Sequence, residues 1–235
     1  MLKTIRIIAL ILWFIISILL ILMISIFRPS NPDNLWMFSI LIGKGAKVIL
    51  GIEYEVDVDF DFVNDRPSVI IANHQNIFDI FMISYLKPRY TVSLGKKELL
   101  YIPLFGIFYY LTGNVLINRK NRTNAMSSMR KVRKTITEKK LNIIIMPEGT
   151  RSRGKGLLPF KKGAFFTAIN SQVPIVPLCF SSWDDNINLN KIKSGVIKIS
   201  SLPPITTKGL SKSDLTNILN TSYEQMTNKL SKLNN

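Results

Sequence analysis

Histidine, cysteine and acidic side chains are all scarce in this sequence. One histidine, His74, in 235 residues excludes multi-histidine metal centres and the two-histidine zinc protease motif. One cysteine, Cys179, excludes an intramolecular disulfide and a Cys-x-x-Cys zinc site. Only 15 Asp and Glu stand against 31 Lys and Arg, a formal charge of +16. That balance selects anionic partners: nucleic acid, anionic lipid or a phosphorylated substrate. Repeats and low-complexity tracts are missing too, and a hydrophobic fraction of 47% excludes a disordered polymer. The length predicts one compact domain with an appendage.

Charge is absent altogether from Ile7 to Phe27, 21 residues interrupted only by Ser17 and Ser25. A membrane-spanning helix needs about 20 apolar residues. A cleaved signal peptide has a shorter apolar region, about 7–15 residues, followed by a small-x-small site. This run is longer and closes on Ile26-Phe27-Arg28-Pro29. As a soluble core helix it would have to be buried on every side. A second apolar stretch, Leu35 to Leu50, contains Gly43, Lys44, Gly45 and Lys47 and is too short and too charged to span. Trp36 near its start suits a membrane interface. Residues 7–50 therefore predict a helical hairpin, dividing the chain into a membrane anchor (1–50) and a second unit (51–235). Lys3 and Arg6 precede the first helix and Arg28, Lys44 and Lys47 follow it. They leave open whether it crosses the bilayer or dips into one leaflet.

Beyond the hairpin, short apolar strands alternate with helices. Ile52, Tyr54, Val56, Val58, Phe60 and Phe62 alternate with acids, a half-exposed strand. Further strands are expected at Ser68–Ala72, Tyr90–Leu94, Asn114–Asn118, Asn142–Met146, Ile175–Phe180 and Val196–Ser200. Helices are expected at Ile77–Leu86, Leu104–Leu111, Thr123–Lys139 and Lys162–Asn170, and from Ser211, where Asp214 completes a Ser-x-x-Asp start. The pattern predicts an α/β fold with a mixed, mostly parallel sheet flanked by helices. Such sheets place ligands beyond the carboxyl ends of their strands.

Three strand ends carry unusual chemistry. After Ala72 comes Asn73-His74-Gln75-Asn76-Ile77-Phe78-Asp79. A helix starting near Asn76 would hold Asp79 in its first turn, able to fold back on the imidazole. A carboxylate on one ring nitrogen fixes the tautomer and frees the other as a base. The plainer alternative makes Asn76 an N-cap, Asp79 an acid at N3 and His74 a loop residue. After Met146 comes Pro147-Glu148-Gly149-Thr150-Arg151-Ser152-Arg153, a turn with a guanidinium fork suited to phosphate. After Ile117 comes Asn118-Arg119-Lys120. From Arg119 to Lys162 there are 14 Lys and Arg and only two acids. Most belong to the solvated face of the 123–139 helix, whereas Arg119 and Arg151 sit at strand ends that could share one crevice.

Together these segments resemble the glycerolipid acyltransferases, the His-x4-Asp family. Asn73–Asp79 resembles its first block, Gly113–Arg119 its second, Pro147–Ser152 its third and Val173–Pro177 its fourth. Lys96-Lys97-Glu98-Leu99 and Phe160–Ala164 resemble further family stretches, all in order across residues 73–177. The hairpin is similar to that of bacterial members. Met146 replaces the aromatic residue that often precedes the third block. The resemblance implies acyl transfer from a thioester, acyl-CoA or acyl carrier protein, to the free hydroxyl of a lysophosphatidate. His74 would be the base and Asp79 its orienting partner. Arg119 and Arg151 would clamp the acceptor phosphate, Glu148 would order that pocket, and Gly149 and Thr150 would shape its turn. Lys97 would contact phosphate or donor. The implied reaction needs no metal and no bound cofactor, and Cys179 reads as packing.

Under that resemblance the donor would come from the cytoplasm and the acceptor would lie in a bilayer, which would place the second unit on the cytoplasmic face of the cell membrane. Another lysolipid, or glycerol 3-phosphate, is the alternative acceptor. A non-catalytic protein holding anionic lipid would not need His74, Asp79 and the Glu-Gly-Thr-Arg turn together. A nucleic-acid binder is disfavoured by the anchor and by the lack of an aromatic-plus-basic RNA motif.

Overall fold

The computed structural model describes residues 1–59, 67–117 and 131–235. Two long helices open the chain: α1 (Leu2–Phe27) and α2 (Pro32–Leu50). The break between them follows from Pro29, Asn31 and Pro32. Asn31 accepts a hydrogen bond from Asp33 N at 2.9 Å, and Pro32 takes the first helical position, where no N–H is needed. The predicted hairpin is thus present, with α1 starting five residues before the uncharged run. Gly45 explains how the pair closes: a Cβ there would fall 2.0 Å from the Trp13 indole of α1. Gly43, on the same helix, lets the backbone of Tyr85 approach.

The strands β1 (Ile52–Asp57), β2 (Val69–Ala72), β3 (Thr91–Lys96), β4 (Val115–Ile117), β5 (Asn142–Ile145), β6 (Ile175–Phe180) and β7 (Gly195–Ser201) form one sheet in the order β1-β7-β6-β2-β5-β3-β4. Every pairing is parallel except β6 with β7. The mixed, mostly parallel sheet expected from the alternation is therefore observed. β2, β5 and β6 are buried along their whole length, which is why they read as continuous apolar runs. β1 is shorter than its alternation suggested, and residues 60 and 62 of that pattern lie outside the described residues.

Helix α3 (Asp79–Leu86) packs against α2, and α4 (Phe105–Leu111) against α1. Helices α5 (Gly163–Ser171) and α7 (Leu215–Asn234) contact each other and cover β2 and β6. The Ser211–Asp214 start is a complete capping box, built on a 3-10 turn (Lys212–Asp214) ahead of α7. Two short elements have no counterpart in the sequence reading: a 3-10 turn (Lys97–Tyr101) and the one-turn α6 (Trp183–Asn186). Of the predicted 123–139 helix, residues 131–137 are helical and 118–130 lie outside the described residues.

Because β2, β3, β4, β5 and β6 all run the same way, their carboxyl ends share one edge of the sheet. The chemistry-bearing segments leave from that edge.

Candidate active site

Strand alternation sorts the residues that follow β2. Asn73 and Gln75 turn toward β6, and His74 between them turns away. The Asn73 side chain clamps Phe180, donating to its carbonyl at 2.9 Å and accepting from its N–H at 2.8 Å. Gln75 donates to the carbonyls of Ser181 (2.8 Å) and Phe180 (3.2 Å) and accepts from Trp183 N at 2.8 Å. Phe78 stacks on Trp183 with ring centroids 4.4 Å apart. These contacts fix the loop on its β6 side. Sequence reasoning assigned no role to Asn73 or Gln75. The signal was their i, i+2 spacing around the histidine at a strand end.

On the β5 side the same loop is strapped to the turn after Ile145. His74 N donates to Glu148 Oε1 at 2.6 Å, and the His74 carbonyl accepts from Ser152 N at 2.8 Å. The Gln75 carbonyl accepts from Arg153 N at 3.0 Å. Glu148 is buried, and its second oxygen accepts from Leu158 N at 2.9 Å. Burial pushes its carboxyl above the ordinary carboxylate range, against the pull of those two backbone N–H groups.

His74 Nδ1 lies 2.6 Å from Asp79 Oδ2. The same oxygen accepts from Gln75 N (2.6 Å) and Asn76 N (3.1 Å), while Asp79 itself is 1% exposed. An oxygen facing two fixed backbone donors is an acceptor, so the third donor is the imidazole Nδ1–H. Nε2 is then left with its lone pair. Helix α3 begins at Asp79, two residues later than the N-cap alternative required, and Phe78 is the N-cap. The Asn76 side chain instead accepts from Phe78 N at 2.8 Å, closing the turn that swings Asp79 back on the histidine.

Gly149 has φ +68°, a left-handed turn conformation in which a side chain would also meet Lys161. The turn exposes Thr150 and Arg151, and neither makes a hydrogen bond or ion pair among the described residues. Lys97 opens the 3-10 turn after β3 and is exposed at the same edge. β4 ends at Ile117, and Arg119 lies outside the described residues. His74, Glu148, Gly149, Thr150, Arg151 and Lys97 thus leave from neighbouring parallel strands. Cys179 is fully buried inside β6 with its thiol pushed up to about 12 by burial, a packing residue rather than a thiolate. Among the described residues no group of three or more His, Cys, Asp or Glu could hold a metal.

The arrangement can take a proton at Nε2 and stabilise the resulting imidazolium through Asp79. Arg151 and Lys97 are exposed at the same edge of the sheet. Residues 55–181 match the family model described as Acyltransferase. The chain is 37% identical over 233 residues to the 1-acyl-sn-glycerol-3-phosphate acyltransferase of Haemophilus influenzae, covering 99% of this chain and 97% of that protein. It is 43% identical over 180 residues to the enzyme of that name in Escherichia coli, covering 77% and 73%. Its fold matches the crystal structure of the 1-acyl-sn-glycerophosphate (LPA) acyltransferase PlsC from Thermotoga maritima, with a TM-score of 0.75, 22% identity and coverage of 98% and 97%.

Proposed function

Because the chain belongs to the acyltransferase family, we propose that it transfers a fatty acyl group from a thioester to the free hydroxyl of 1-acyl-sn-glycerol 3-phosphate, making phosphatidic acid. The observation that carries this reading is the 2.6 Å contact between His74 Nδ1 and the buried Asp79 carboxylate. His74 Nε2 takes the hydroxyl proton as the oxygen attacks the thioester carbonyl. The carbon–sulfur bond then breaks, and the departing thiolate recovers the proton from the imidazolium. Asp79 holds the tautomer and offsets the imidazolium charge. No acyl-enzyme is required. Arg151 and Arg119 bind the acceptor phosphate, Lys97 contacts phosphate or donor, and Thr150 adds a hydroxyl at the turn held by Gly149. Glu148 acts from beneath, fixing the His74 backbone against that turn. The donor is acyl-CoA or acyl carrier protein, and no prosthetic group takes part.

The same reading attaches the protein to the cytoplasmic face of a membrane. Ile8, Leu12, Ile15, Leu19, Met23 and Ile26 make an exposed apolar stripe along α1. Yet both ends of that helix are tied to the sheet domain. The Arg6 guanidinium donates to the carbonyls of Leu189 (3.0 Å), Lys191 (2.7 Å) and Ile192 (2.6 Å) and to Ser194 Oγ (2.5 Å). At the other end Ser30 N donates to the Leu111 carbonyl at 2.7 Å, and Arg89 Nε and Nη2 donate to the two Asp33 oxygens at 3.0 Å each. A helix crossing the roughly 30 Å hydrocarbon layer has its ends on opposite sides. Ends bonded to one domain favour α1 lying in a single leaflet, along the plane of the interface.

The test offers acyl-CoA and acyl carrier protein donors to purified enzyme with a panel of lysolipids and glycerol 3-phosphate. Lysophosphatidate should be acylated at least tenfold faster than any other acceptor. Equal rates on lysolipids lacking the bare phosphate would remove the assigned acceptor.

A further inference from the structure

Tyr101 through Leu111 contains no charged residue, although it follows directly on the active-site edge. Five of its large apolar side chains are uncovered: Tyr101 (77% exposed), Ile102 (48%), Leu104 (46%), Ile107 (60%) and Tyr110 (63%). Phe108 and Tyr109, on the other side of α4, are buried. So the segment turns Phe108 and Tyr109 to the core and presents those five outward. A contiguous apolar patch at a protein surface marks an interaction site.

Leu104 adds a second observation. It has φ +61°, left-handed backbone that costs a non-glycine residue about 1–3 kcal/mol. Glycine would remove that strain, yet the sequence keeps a large apolar side chain there and presents it to solvent. A third observation identifies the occupant. The segment packs directly on α1, so its uncovered side chains stand beside the helix that carries the exposed stripe: Phe14, on the inner side of α1, stacks on Phe105 with centroids 6.3 Å apart, and Ser30, just past the end of α1, donates to the Leu111 carbonyl.

We propose that residues 101–110 are a second membrane-inserting limb, which with α1 seats the carboxyl edge of β3 and β4 on the lipid leaflet. This rests on the reading of α1 as an interfacial helix. The two exposed tyrosines, Tyr101 and Tyr110, suit the headgroup boundary, and Ile102, Leu104 and Ile107 suit the acyl region. A lysolipid already in the leaflet would then reach Lys97 and Arg151 by sideways diffusion, its phosphate never leaving the interface plane.

The test uses full-length protein in phosphatidylethanolamine–phosphatidylglycerol vesicles, with a fluorophore on a single introduced cysteine. Cys179 is buried and does not compete. Leu19→Cys reports on α1, Ile107→Cys on the limb, and Asn217→Cys on the exposed face of α7. Brominated acyl chains should quench the labels at 19 and 107 and leave 217 unchanged. Quenching at 19 without quenching at 107 overturns the limb and leaves the α1 anchor standing. Quenching at neither overturns the anchor reading on which the limb depends. Energy transfer between labels at 107 that disappears on dilution, without quenching by lipid, assigns the patch to a second copy of the chain and also overturns the proposal. Ile102→Glu with Ile107→Glu should lower turnover of vesicle-embedded acceptor by about tenfold or more. Turnover of a short-chain, monomeric acceptor should stay within about twofold. Equal loss on both acceptors would mean the limb supports the fold, not the membrane contact.

Discussion

Two turns leave the same edge of the sheet, one from β2 and one from β5, and they are finished to different degrees. The His74 loop has its backbone and side chains bonded in every direction: to Phe180 and Ser181 on one flank, to Glu148, Ser152 and Arg153 on the other, and to Asp79 below. The tip of the neighbouring turn, Thr150 and Arg151, is bonded to nothing among the described residues. On the proposed mechanism the contrast separates two tasks. Proton transfer needs a base held in one tautomer before substrate arrives, because reorganisation during reaction costs rate. Anion binding needs donors still available when the anion comes.

The largest effect should come from breaking the finished turn at its centre. His74→Ala should lower turnover by about 10²–10⁴-fold while the melting temperature barely changes, since the ring is partly exposed. Asp79→Asn should cost on the order of 10²-fold in turnover with a smaller change in acceptor KM, and it should lower the melting temperature because Oδ2 serves three donors. Turnover near wild type in either variant would dissolve the distinction between the turns.

The open turn should fail differently. Arg151→Ala should raise the acceptor KM by about 10–150-fold and leave donor KM and melting temperature unchanged. Arg151→Lys should recover only part of that, keeping charge without the fork. Arg119→Ala should resemble Arg151→Ala. A drop in melting temperature on losing Arg151 would show that it is built into the fold after all.

Glu148 tests the join between the two. A glutamine can accept from His74 N or Leu158 N, not both, so Glu148→Gln should cost about 1–3 kcal/mol of stability and about tenfold in turnover. Its folded-state proton affinity is raised by burial. The stabilising share of that shift is therefore present below the ordinary carboxylate range and lost as pH climbs through the raised value. Melting curves from about pH 4 to pH 7 should show that slope in wild type and a flatter one in Glu148→Gln. The smallest effect, none, is expected from Arg130→Ala, the control for general basic charge.

The strand ends and the His-to-Asp pairing were legible because each rests on a local pattern: buried β-branched runs such as Val69–Ala72, and an aspartate five residues after the sole histidine. The N-cap alternative at Asn76 failed where local rules compete. An Asx turn and a helix cap look alike in sequence, and only the pull of Asp79 on three N–H donors decides between them. Glu148 was placed beside the phosphate turn, but its bonds to His74 N and Leu158 N cross 74 and 10 residues, a reach no motif spells out. The one-turn helix at Trp183 is too short to show periodicity. The clamp of Asn73 on Phe180 depends on β2 lying next to β6, which is a fact of topology.

Arg6 bears on how the molecule comes to exist. Its four acceptors are 183 to 188 residues further along the chain, and among the described strands β1 pairs only with β7, so Ile52 waits for Gly195. At roughly 5–20 residues per second, synthesis needs about 10–40 s to bring out the loop that will hold that guanidinium. For all that time α1 is outside the ribosome with its apolar stripe uncovered and its arginine unmatched. A lipid leaflet answers both needs at once, acyl chains for the stripe and headgroup phosphate for the charge. The proposed leaflet contact is thus open to α1 before the loop from Leu189 to Ser194 is made, and the Arg6 bonds close only after that loop emerges.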